Sequence, residues 1–89
     1  MDVMLDLSKV TTREELHDLL TERLPLPEWY GRNLDALLDS LTDMSQDINI
    51  IASGLDALRD ALGAYADGFV RVLLGAADSN GHISVEIRE

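Results

Sequence analysis

Val3, Leu5 and Leu7 alternate weakly with their neighbours, a period of two that predicts a first strand over residues 3–7. Thr12 stands three residues ahead of Glu15, the spacing of a capping box that satisfies two orphan amides at a helix start. Leu16, Leu19, Leu20 and Leu24 then recur at helical intervals and predict a helix of about three turns. Pro25 and Pro27 end it, because each proline forces its predecessor toward extended geometry. Asn33 is placed as the N-cap of a second helix carrying Leu34, Leu37, Leu38 and Leu41. Ile48, Ile50 and Ile51 form a short apolar run closed by Ser53 and Gly54, which suits a strand covered on both faces of a parallel sheet. Leu55, Leu58 and Leu62 predict a short third helix ending near Gly63. A fourth is expected over 67–78, with Phe69, Val70, Leu73 and Ala77 inward. The run Ser79-Asn80-Gly81 is a stop signal that offers glycine for left-handed backbone. Ile83, Val85 and Ile87 alternate cleanly with polar residues and predict the last strand.

The predicted order is β-α-α-β-α-α-β. Helices between successive strands imply crossovers, hence an α/β class with a three-stranded parallel sheet carrying about four helices. The chain has 89 residues, which predicts one domain over 1–89. Seventeen acids against seven Lys and Arg give a formal charge of −10. Such a surface repels nucleic-acid phosphates and anionic membranes and favours a cationic protein partner. Cysteine is absent, which excludes disulfides, zinc–thiolate sites and thiol catalysis. A small domain without staples fits a reducing cytoplasm. The acidic start of the chain does not read as a signal peptide, and the short apolar runs do not read as membrane spans.

Chemistry-bearing motifs are sparse. The chain has no glycine-rich phosphate loop, no nucleophile elbow and no His-Glu-x-x-His spacing. His17, within the first helix, and His82, at the last strand, lie far apart and read as surface or boundary residues. Neither a metal nor a cofactor is expected. Asp35 and Asp39 stand four apart on one helix face. As an acid/base pair they would need a cleft and unlike environments, which adjacent turns of an exposed helix do not provide. Otherwise they are either a solvated face or a binding edge. Between Glu28 and Asp47 the acids Glu28, Asp35, Asp39, Asp43 and Asp47 face the single base Arg32. Two aromatics, Trp29 and Tyr30, sit in the loop at the head of this stretch. Acids steer and pair with arginine while aromatics supply buried area, so the combination points to a basic protein partner.

The run from Leu26 to Thr42, LPEWYGRNLDALLDSLT, resembles the signature of the barstar family, the intracellular inhibitors of barnase-like ribonucleases. The resemblance implies the three-stranded parallel α/β fold already read from the pattern. It also implies a stoichiometric 1:1 inhibitor, not an enzyme, that blocks a small extracellular guanyl-specific ribonuclease with its second helix and the preceding loop. On that reading Asp39 takes the phosphate position and Asp35 pairs with a further arginine. Trp29 packs on the catalytic histidine ring, and Tyr30, Gly31 and Asn33 supply close loop contacts. Leu34, Leu38, Thr42 and Asp43 complete the patch. Relative to the family's type member, Leu38 and Met44 replace tryptophans, Ala76 replaces a glutamate, Trp29 replaces a tyrosine and Asp43 replaces a glycine. Those changes leave the aspartate pair intact, alter the rim and suggest a related target with a different surface. Tyr30 can equally pack inward, and Leu34, Leu37 and Leu41 also read as core residues, with Leu38 the more outward of the four. The free protein is expected to be a cytoplasmic monomer. The alternative is a module of the same fold that binds another basic protein, such as a different nuclease toxin.

Overall fold

A computed structural model describes residues 1–88. Glu89, the last residue of the expected domain, lies outside the described residues. The elements are β1 (Asp2–Asp6), a 3-10 turn (Leu7–Lys9), α1 (Arg13–Arg23), α2 (Leu34–Thr42), β2 (Ile48–Ser53), α3 (Leu55–Leu62), α4 (Ala64–Ser79) and β3 (Ile83–Arg88). They follow the predicted order, and the class is α/β. The strands form one sheet in the order β1-β2-β3, with both pairings parallel. Val3 sits opposite Ile50, and Ile50 opposite Val85, so the apolar sides of all three strands fall on one face. Buried residues of the sheet and the helices join in one core around Phe69.

Leu7 is fully buried as the alternation predicts, but it has left the strand. The Asp6 carboxylate accepts from the Ser8 amide at 3.1 Å and the Ser8 hydroxyl at 2.6 Å, and this local capture turns the chain. Gly54 joins β2 to α3 at φ +77°, where a Cβ would lie 2.7 Å from the Ser8 amide nitrogen. Only glycine fits there. The strand β2 carries apolar residues on both faces, broken by Asn49 and the terminal Ser53. Ile48, Ile50 and Ala52 enter the core, while Ile51 points outward between Met4 and Glu86 of its neighbours and is still only 6% exposed. On β3 the alternation holds only in part. Ile83 is buried, Val85 half-buried and Ile87 38% exposed, because it stands at the open end of an edge strand.

Two boundaries differ from expectation. The helix α4 begins at Ala64, not 67, because Gly63 at φ +57° ends α3 and starts α4 with no linker between them. Its fully buried positions are Ala66, Phe69, Leu73 and Ala76, while Val70 and Ala77 lie half-buried beside the stripe. The end of α4 does not use a left-handed glycine. Asn80 caps it in extended geometry, and among the described glycines only Gly54 and Gly63 have positive φ.

The placement of α2 matters most for the site. It packs chiefly on α4, through Leu37 and Leu41, instead of lying flat on the sheet. Gly68 in α4 allows the approach, since a Cβ there would stand 3.0 Å from Leu34 Cδ1. The other end of α2 is held by the buried Asn80 side chain, whose amide donates to the carbonyls of Leu41 at 2.9 Å, Thr42 at 3.2 Å and Met44 at 2.9 Å. Its Oδ1 accepts from the His82 amide at 3.0 Å, so one side chain ties the end of α2 to the start of β3. Asn80→Ala should lower the unfolding free energy by about 1–3 kcal/mol in urea titrations, because it strands carbonyls away from water. Asn80→Asp should cost more than Ala, since a carboxylate offers those oxygens no proton.

Candidate functional site

Local chemistry folds the loop ahead of α2 into a fixed shape. After Leu24 caps α1 in extended geometry, the Tyr30 amide donates to the Pro27 carbonyl at 3.0 Å and closes a turn with Glu28 and Trp29 at its tip. Adjacent residues of that turn then point opposite ways. Trp29 is 85% exposed, the most exposed large apolar side chain of the described residues, while Tyr30 is buried at 7%. The Tyr30 hydroxyl lies 2.7 Å from His17 Nδ1, and His17 Nε2 lies 2.7 Å from the Tyr65 hydroxyl. Arg32 adopts φ +54°, a left-handed conformation that costs a non-glycine residue about 1 kcal/mol. Its guanidinium holds the loop against α1 by pairing with the Asp18 carboxylate and donating to the Glu14 carbonyl at 3.2 Å. Asn33 caps α2 as expected, accepting from the Ala36 amide at 2.8 Å, and its Nδ2 donates back to the Gly31 carbonyl at 3.2 Å.

The outward side of α2 carries Asp35, Asp39 and Asp43, all exposed. None takes part in an ion pair among the described residues, whereas Asp18, Asp47, Asp56 and Asp67 each do. The last turn of α2 contains no basic residue, so Asp39 and Asp43 stand at the negative end of the helix dipole without compensation. The acids therefore carry an electrostatic cost in the free protein. Leu34, Leu38 and Thr42 are half-buried along the edge, and the Thr42 hydroxyl is used within the helix, on the Leu38 carbonyl at 2.9 Å. A shallow depression of about 300 Å³ lined by Pro27, Trp29, Tyr30, Gly31, Ala36, Asp39 and Ser40 joins the loop to the helix. It brings Trp29, Gly31 and Asp39 together, while Asp35, Leu38, Thr42 and Asp43 extend away from it along α2.

One residue, His17, is placed differently from its sequence reading, and two others are settled by their burial. His17 is 2% exposed, not a surface group. Two tyrosines with inward hydroxyls needed a polar partner, and His17, next to Leu16 on the core side of α1, was within reach. Tyr30 is an inward anchor of the loop. Ala76 is fully buried, so a rim contact from the fourth helix cannot come from that position. His82 is exposed as expected and bonds to Asp47 at 2.7 Å. Burial pushes the His17 ring below its ordinary pKa, helped by the Arg32 charge and opposed by Asp18. Burial, with Tyr65 beside it, pushes the Tyr30 hydroxyl up to about 12.

A model of the family described as barstar, the barnase inhibitor, matches residues 1–88. The chain belongs to the barstar family. The parallel three-stranded architecture expected from that family is the one observed. A Bacillus subtilis (strain 168) protein named "Putative ribonuclease inhibitor YrdF" is 38% identical over 66 residues, 73% of this chain and 72% of that protein.

Asn33→Ala should cost about 1 kcal/mol in urea unfolding through loss of the cap. His17 gives a pH signature of definite sign. Its native pKa lies below the ordinary 6.5, so the unfolded chain binds the proton first. The neutral ring's contribution is complete above that pH, declines as pH falls below it and levels off at the native value. Urea midpoints between about pH 5 and 8 should fall on acidification, and His17→Gln should flatten the curve; Asp6 and Glu15, also held down by hydrogen bonds, act only at lower pH.

Proposed function

We propose that the chain is a stoichiometric inhibitor of a ribonuclease and blocks the enzyme's active site with α2 and the loop before it. The observation that carries this reading is the pairing, around one depression, of an almost fully exposed Trp29 with an Asp39 that has no counter-charge. A ribonuclease must hold RNA phosphate, so its catalytic pocket is lined with cations. A carboxylate held on a stiff helix can occupy such a pocket in place of phosphate. At about 4 Å and an effective dielectric near 20, each such pair gains roughly 4 kcal/mol before desolvation. Desolvation removes a share of that gain, so rigidity matters: the acids must arrive without further ordering.

In this reading Asp39 enters the phosphate position and Asp35 and Asp43 meet flanking cations along the same helix edge. Trp29 stacks on a ring at the pocket floor, and Gly31 and Asn33 present backbone and amide groups beside it. Leu34, Leu38 and Thr42 seal the edge, and Tyr30 supports the loop from within. The chain contributes no catalytic group. The target would be a small secreted guanyl-specific ribonuclease, bound 1:1 in the cytoplasm of the producing cell before it can act there. Asp43 adds a carboxylate beside the two that the family resemblance emphasises, so the target should offer a matching cation.

Titration into a panel of small guanyl-specific ribonucleases should abolish the activity of at least one at equimolar ratio. No inhibition at micromolar concentration across the panel, with capture of an unrelated basic toxin instead, would replace this reading with the other-partner alternative. Asp39→Ala should weaken inhibition by about 3 kcal/mol, more than a hundredfold in Kd, because it leaves the enzyme's buried cations unpaired. Asp47→Ala removes an exposed acid bonded to His82 and should change Kd less than about threefold. Stopped-flow association should slow as salt is raised, since steering by net charge is screened.

A further inference from the structure

The buried His17 ring meets the interaction loop from inside, through Tyr30. A neutral imidazole has one N–H and one bare nitrogen, and here both are engaged by hydroxyls at 2.7 Å. The buried Tyr30 hydroxyl has one other acceptor, the Asn33 carbonyl, at 3.5 Å. The arrangement that gives Tyr30 a short bond as donor has Tyr30 donating to bare Nδ1 and Nε2–H donating to Tyr65; the other tautomer leaves the Tyr30 proton only the 3.5 Å contact. Tyr65 is only half-buried and can pass its own proton to water. A second proton on the ring ends this arrangement. Nδ1 becomes a donor facing the Tyr30 donor, and Tyr30 must turn to the long Asn33 contact.

The charges around the ring add to the effect. From α1 come Arg13, whose guanidinium lies 4.3 Å from the Tyr65 ring centroid, with Glu14 and Asp18. The loop contributes Arg32, which is already paired with Asp18, and α4 contributes Tyr65. An imidazolium here therefore meets the Arg32 guanidinium, opposed by Asp18, while Arg13 lies over the Tyr65 ring. A depression of about 340 Å³ lined by Arg13, Glu14, His17, Arg32, Asn33 and Tyr65 opens beside the ring and offers the proton a path.

We propose that His17 is a positioning residue for the interaction loop: its neutral ring, clamped between Tyr30 and Tyr65, holds the turn that presents Trp29, and protonation of the ring releases that turn. The consequence for a partner rests on the inhibitor reading above; the loop movement itself does not. Release follows from connectivity, since Tyr30 is next to Trp29 and its hydroxyl is the loop's inward anchor, while Arg32 is held in a left-handed conformation that relaxes once the anchor goes.

Trp29 is the chain's only tryptophan and reports the loop directly. In the free wild-type protein, Trp29 emission and the exchange protection factor of the Tyr30 amide, which closes the turn on the Pro27 carbonyl, should change with a single-proton midpoint below pH 6.5, matching the His17 ring signals by NMR. The Tyr30 protection factor should fall about tenfold while those of the Leu5 and Ile50 amides hold. His17→Gln, polar but uncharged, should be flat over the same range, and His82→Gln should behave as wild type. On an inhibited ribonuclease, the dissociation rate between about pH 7.5 and 5 should rise about tenfold more for wild type than for His17→Gln, the enzyme's own titration being common to both. Loop probes that stay still while the His17 ring titrates, that move alike in His17→Gln, or that move only together with the core amides overturn the proposal. Should His17→Gln not fold, the match between ring and loop midpoints in wild type decides the matter. Loop titration without binding to any ribonuclease overturns only the inhibitor reading, and binding without loop titration overturns only this one.

Discussion

The helix α2 is held by an asparagine at each end, and the exposed acidic edge depends on that double fixation. Asn33 caps the first turn and closes the loop on itself; Asn80, from the end of α4, gathers the carbonyls released by the last turn. Between these two points Leu37 and Leu41 press on α4. A nine-residue helix has little stability of its own in water. Here the ends supply what its length does not, and its outward side is left free of any structural duty.

That freedom explains a charge distribution that would otherwise be self-defeating. Acids at the negative end of a helix dipole, without basic neighbours, oppose the fold that carries them. Arg32 and Arg59 pair with acids elsewhere, and among the described residues no base pairs with Asp35, Asp39 or Asp43. An unneutralised row of carboxylates beside an exposed indole is poor design for a protein in isolation and a sound one for a protein completed by a cationic partner. The left-handed Arg32 belongs to the same pattern, since strain concentrates where the loop is shaped for something beyond its own stability.

Much of the scaffold was legible from periodicity and caps. Thr12 and Asn33 stand where the helix-start rules put them, and the Glu15 carboxylate reaches back as a capping box requires, although it settles on Thr11. Strand identity and parallel order followed from alternation and crossovers. What escaped were long-range polar bonds. Nothing local to His17 reveals a tyrosine 13 residues on and another 48 residues on, and nothing local to Asn80 reveals carbonyls nearly forty positions upstream. The boundary errors have local causes: Asp6 folds the chain one residue early, and Gly63 lets α4 start a turn sooner than its apolar stripe announces. The acids and Trp29 could be named as candidates from sequence, but their lack of counter-charges and the inward turn of Tyr30 arise only from the folded packing.

Gly68 gives the molecule a fulcrum. Its missing side chain sets how deeply Leu34 sinks, and so the height of one end of α2 above α4, while Asn80 pins the other. Nine residues span about 13.5 Å, so lifting one end by a single ångström tilts the axis by roughly 4°. Every carboxylate on the rod would swing together, by an amount that grows with distance from the pin. The aim of the whole acidic row is thus governed by one absent methyl group on a helix that carries none of the acids.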